Sequence, residues 1–129
     1  MFLGGGLLAN NSPTGKVEAG QVAAGGDLGA ISDTPKDFSS TLAGYGVCAA
    51  NNQLFAFGGA GGSPSNGAKS ATLVAPPPST ANNSWNSEGI SLVDSRYLMG
   101  SAVQSAFIFL VGGQTAALAA SPTTELVIW

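Results

Sequence analysis

The chain has 129 residues, of which only 9% are charged and 44% apolar, with a formal net charge of −3. Charge falls far short of the roughly 25% of an average soluble domain, and the difference is made up by small, turn-forming residues, which points to an all-β protein and away from disorder. Lys16, Lys36, Lys69 and Arg96 are the only bases, too few and too scattered for a nucleic-acid or anionic-membrane surface; one cysteine and no histidine exclude an internal disulfide and a Cys/His zinc site.

In chain order, Phe2-Leu3-Gly4-Gly5 reads as the end of a strand running into a glycine pair. It has neither a basic region nor an unbroken apolar run, so it is no signal peptide. Further strands are expected over residues 17–22 and around Ile31. Another follows over 46–50, with Cys48 as a small buried hydrophobe in Val47-Cys48-Ala49-Ala50. Asn51-Asn52 then forms a hairpin turn, since Asn tolerates a left-handed backbone. Residues 54–57 form the next strand and end at Gly58-Gly59. After a Gly/Ser/Pro/Asn loop come a strand over 71–75, an extended connector at Pro76-Pro77-Pro78, and a strand around Trp85. The pattern then restarts at Arg96, with strands over 100–105 and 107–111, Gly112-Gly113, an apolar loop over 114–120, and a strand over 125–129.

The order is a repeat. The glycine pairs begin at 4, 58 and 112, a spacing of 54 both times. Gly46 and Gly100, Leu54 and Ile108, Phe55 and Phe109, and Ile31 and Trp85 keep the same offset. After each pair, Lys16-Val17-Glu18-Ala19 aligns with Lys69-Ser70-Ala71-Thr72 and Thr123-Thr124-Glu125-Leu126, with a one-residue slip in the loop.

A unit of about 50 residues, with four short strands and Gly-Gly closing the second, resembles the kelch repeat. Leu54 to Gly59 resembles the family's apolar run into its glycines. Arg96 to Gly100 resembles its opening Arg, and Trp85 resembles the Trp that starts its fourth strand. The family's third-strand Tyr is missing, and Ile31 stands where the first unit would carry Trp. The resemblance implies consecutive four-stranded antiparallel blades of a partial β-propeller: an incomplete blade over 1–42, a complete one over 43–95 and an incomplete one over 96–129. The expected repeat positions are Gly4, Gly5, Phe55, Gly58, Gly59, Trp85, Gly100, Phe109, Gly112 and Gly113, with Phe55 and Phe109 in like, buried environments. Such a segment is expected to be ordered beside further blades, from a longer polypeptide in preference to neighbouring subunits.

No catalytic, cofactor or metal residues are expected. The run Gly58-Gly59-Ala60-Gly61-Gly62 lacks the Gly-Lys-Ser/Thr ending of a phosphate loop. Asp33 and Asp37 do not have calcium-loop spacing, and the other acids, Glu18, Asp27, Glu88, Asp94 and Glu125, read as solvated loop charges. Arg96 is read as structural, pairing with an acid such as Asp94. The copper chemistry of some kelch-like propellers needs histidine, which is absent. Asn10 and Asn82 fit the N-glycosylation pattern. The reading is a non-enzymatic binding or structural module of a larger surface, secreted or assembly protein, with protein partners. The alternatives are a fragment of a carbohydrate-acting propeller enzyme and a lectin-like sugar binder using loop Asn with Tyr45 or Tyr97.

Overall fold

The computed structural model describes residues 2–33, 38, 41–74, 79–80, 85–116 and 118–128. The Pro76-Pro77-Pro78 connector, Asp37, Asn82 and Trp129 lie outside them. Eleven strands and no helix occur among the described residues: β1 (Phe2–Gly4), β2 (Val17–Val22), β3 (Leu28–Asp33), β4 (Gly46–Ala50), β5 (Gln53–Phe57), β6 (Gly67–Val74), β7 (Ser79–Thr80), β8 (Asn86–Ser91), β9 (Gly100–Gln104), β10 (Phe107–Val111) and β11 (Thr124–Ile128). All pairing is antiparallel. The first sheet is β1-β2-β3 and the third is β11-β10-β9. The middle sheet runs β4-β5-β6, with β8 beside the start of β6 and β7 beside its end, where Leu73 faces Thr80.

Local chemistry sets the hairpins. Asn51 and Asn52 both take positive φ (44° and 60°) in the two-residue turn between β4 and β5, as the right-handed strand twist requires. The matching turn from β9 to β10 uses Ser105 at φ 55°.

Ladder registers define the repeat more sharply than the sequence spacing does. Phe2 faces Ala19, Phe55 faces Ser70 and Phe109 faces Leu126. The next pair along is left-handed in every unit: Gly5-Gly6 (68°, 118°), Gly58-Gly59 (65°, 91°) and Gly112-Gly113 (67°, 101°). The first pair is therefore Gly5-Gly6. Gly4 is the last residue of β1, equivalent to Phe57 and Val111, which corrects the expected Gly4-Gly5 by one position. The third strand also needs correction. Gly5, Gly58 and Gly112 donate from their N–H groups to the carbonyls of Lys16, Gly67 and Thr123. The middle loop is thus two residues shorter, and Glu18 aligns with Lys69 and Glu125. A gap absorbed in a flexible loop leaves no mark in glycine-rich sequence.

The sheets stack face to face. Between the first and middle sheets lie Val17, Phe38, Leu54, Ala56, Ala71 and Trp85, with Tyr45 and Leu73 beside them. Between the middle and third lie Phe55, Phe57, Ala68, Leu92, Met99, Ile108 and Leu110. Alternation along β5 sends Leu54 and Ala56 one way and Phe55 and Phe57 the other, so the middle sheet is apolar on both faces. At the inner strands, the Ser101 hydroxyl donates to the Val47 carbonyl at 2.6 Å. A Cβ on Gly46 would stand 2.7 Å from the Met99 side chain, whereas one on Gly100 would meet only the Val111 oxygen at 3.8 Å.

Candidate functional site

The long loops that follow β1, β5 and β10 leave their sheets on the same side. Each is pinched by a single bridge just beyond its glycine pair: Leu7 to Pro13, Ala60 to Pro64 and Gln114 to Ala120. The connectors into the middle and third sheets join them through Ala43 to Ala60 and Tyr97 to Gln114. Close packing makes the glycines obligatory here. A Cβ on Gly58 would lie 2.3 Å from the Arg96 carbonyl oxygen, and one on Gly113 would lie 2.7 Å from that of Tyr97.

These segments enclose a hollow of about 400 Å³, whose walls include Leu7, Asn11, Tyr97, Leu98, Thr115 and Leu118. Among the described residues, no charged one lines it. Three of the lining residues are non-glycine residues in the left-handed region: Asn11 (61°), Leu98 (55°) and Leu118 (56°). For a leucine this conformation costs about 1–2 kcal/mol. Hydrogen bonds hold it: Leu98 N–H donates to the Gly44 carbonyl at 2.8 Å, and Leu118 N–H to the Thr115 carbonyl at 3.0 Å. Gly44 occupies the position of Leu98 one unit earlier, also at positive φ (70°). Leu7, Leu98 and Leu118 are all exposed, giving the hollow an apolar rim. Leu118 stands in a segment that reads simply as loop; the left-handed φ that aims it is a property of the folded backbone.

Of the two tyrosines with a candidate sugar-binding role, Tyr97 lines the hollow with Asn11. Tyr45 packs on Phe38 instead, with ring centroids 4.5 Å apart. The ten expected repeat positions lie elsewhere. Phe55 is buried between the middle and third sheets and Phe109 is half-buried on the far face of the third, so equivalent ladder positions have unlike surroundings. Trp85 is buried against Phe38, centroids 4.3 Å apart, whereas Ile31 at the same position of the first sheet is exposed.

Arg96 is fully buried. One guanidinium nitrogen donates to the carbonyls of Gly112 and Thr123, both at 3.1 Å, and the other reaches the Glu125 carboxylate. Asp94 lies farther off, at 3.8 Å. Glu125 is thus an ion-pair partner inside the structure rather than a solvated loop charge. Glu88 likewise accepts from the Ser70 hydroxyl. Arg96 fastens the loop 112–123 to the connector that carries Tyr97 and Leu98, and so braces one wall of the hollow. Cys48 is half-buried at the edge of the second core cluster, and burial raises its thiol from 9.0 to about 11. Among the described residues, no group of three or more acids or cysteines converges as a metal site would require.

No protein-family model and no curated protein matches the sequence. Among solved structures, the chain is similar to the structure of YjhT, with a TM-score of 0.77 and 21% identity over 99% of this chain. The chain spans 39% of the length of YjhT, and at that identity the likeness establishes a shared fold.

Proposed function

We propose that this chain is a non-enzymatic binding module built from kelch-like propeller blades, with the loop-lined hollow as its ligand site. The observation that carries this reading is that loops from all three sheets, and both connectors, meet around one hollow. Leu98 and Leu118 are held there in unfavourable backbone conformations. A rigid scaffold that presents strained loop residues is how binding sites are commonly built. The equivalent ladder positions of the three sheets and their face-to-face stacking support the propeller reading.

An uncharged lining selects a neutral ligand. Tyr97 and Asn11 in one hollow favour a sugar over other neutral ligands, because an aromatic face stacks on the C–H side of a pyranose while an amide serves its hydroxyls. The protein-docking reading rests on the exposed leucine rim. Titrating the chain with a panel of neutral oligosaccharides, followed by backbone amide shifts, tests the first. Shifts at Gly44, Gly62 and Thr115 that saturate, and that vanish in Tyr97→Ala, are the expected result. Binding that is unchanged in Tyr97→Ala, or shifts confined to residues away from the hollow, would refute it.

A further inference from the structure

We infer that the middle unit is cut down to make the hollow, and that Ala43, Ala60 and a loop two residues short decide what enters it. On the sugar-binding reading of the hollow, on which this rests, specificity lies in the volume that the middle unit leaves out. Hydrogen-bonded bridges fix the comparison between units. Ala43 and Ala60 exchange two backbone N–H···O bonds of 2.9 and 2.8 Å, and Tyr97 and Gln114 exchange two of 3.0 and 2.8 Å. Ala43 therefore stands where the next unit carries Tyr97. The loop bridges, Leu7 to Pro13, Ala60 to Pro64 and Gln114 to Ala120, put Ala60 where its neighbours carry Leu7 and Gln114. The middle loop also closes two residues sooner, at 60 to 64 against 7 to 13 and 114 to 120.

The short loop packs directly on the connector before it: a Cβ on Gly61 would stand 2.4 Å from the Thr41 carbonyl oxygen. Leu7 and Leu118 stand exposed in the longer loops that flank it. Ala43, Ala60, Gly62 and Pro64 line the hollow between them. One small residue has a packing reason of its own. Gly44, at φ 70°, is covered by Leu98, whose side chain would lie 3.2 Å from a Cβ there. Ladder geometry makes no such demand at Ala43 and Ala60, since the same bridge positions hold Tyr97 and Gln114 one unit later. At about 400 Å³ the hollow lies toward the small end of ligand sites, which run from roughly 300 to 1,000 Å³. That suits one or two pyranose rings, with Tyr97 in the wall.

Two measurements separate this inference from the reading beneath it. The first needs no sugar. A naphthalene dye whose emission reports polarity is coupled to Thr115→Cys in a Cys48→Ala chain. Thr115 lines the hollow, so the dye ring should seat in it and emit to the blue of the same dye on the unfolded chain. Adding Ala43→Tyr or Ala60→Gln should expel the ring and move the emission to the red. The second titrates the undyed chain with methyl glucoside, methyl galactoside, maltose and lactose. Each of the two filling substitutions should weaken binding by roughly tenfold or more, because it sets a clash against the ligand. Thermal melts identify which variants are folded. Emission that stays put in the folded variants, or a dye that finds no apolar seat in the parent chain, would overturn the inference. So would sugar affinity that the folded variants leave unchanged. The expected dye response with none of the four sugars bound would keep the inference and remove the sugar reading instead.

Discussion

Phe38 lies directly over Gly4: a Cβ on Gly4 would stand 2.8 Å from the Phe38 ring. One unit later the volumes are exchanged. Phe57 occupies the position of Gly4 and Leu92 that of Phe38, the latter pair each donating from N–H to a carbonyl in the loop end that leads into the third strand, Gly15 or Asn66. Both solutions fill the space between sheets. Phe38→Ala should destabilise the chain by roughly 3–5 kcal/mol and Gly4→Ala by roughly 1–3 kcal/mol. In Gly4→Ala/Phe38→Leu the smaller side chain makes room, so urea melts should show a loss smaller than the sum of the two single changes.

The repeat predicts equivalence of backbone position and the stacking predicts inequality of energy. Phe55→Ala should cost roughly 3–5 kcal/mol, because the ring is buried between two sheets. Phe109→Ala in the monomeric chain should cost clearly less. Equal losses in denaturant melts of the two variants, under conditions where the chain is monomeric, would contradict the assignment of Phe109 to an open face.

Arg96 and Glu125 form a buried pair, the arginine side chain wholly inaccessible and that of Glu125 14% exposed. Removing the acid strands a cation, so Glu125→Ala should cost about 3–5 kcal/mol. Arg96→Met/Glu125→Leu removes both charges and should be more stable than Glu125→Ala. Amide exchange in the loop 112–123 should rise in Arg96→Met, since the Gly112 and Thr123 carbonyls lose their donor.

Cys48 should be a slow nucleophile. With its thiol raised to about 11 by burial, little thiolate exists at neutral pH. Alkylation of the folded chain should quicken about tenfold per pH unit until that value is approached. Unfolding in denaturant should abolish the protection. The linkage has a definite sign. Between about 9 and 11 the unfolded chain ionises its thiol while the folded chain does not, so stability falls as pH rises through that window. Cys48→Ala should remove this component of the alkaline loss in stability.

The all-β class, the positions of most strands and the 54-residue register from Gly46 onward were legible in the residues. They rest on local rules: alternating apolar residues, asparagine at a hairpin turn, and glycine where a backbone must turn left-handed. The register of the first unit was not legible, because Gly4-Gly5-Gly6 offers two pairs and only hydrogen bonding to Lys16 selects Gly5-Gly6. The alignment of Lys69 with Glu18 and Glu125 was hidden for the same reason, since loop length is free to vary where sequence is glycine-rich. The candidate site depended on the tertiary structure almost entirely. Nothing local distinguishes Tyr97 from Tyr45. One lines the hollow and the other fills the core because they stand two positions apart in the repeat, Tyr97 at the position of Ala43 and Tyr45 at that of Met99, on either side of a left-handed residue, Gly44 or Leu98, that turns the connector. Leu98 takes up a backbone conformation against its own preference, held by the Gly44 carbonyl 54 residues away in the chain.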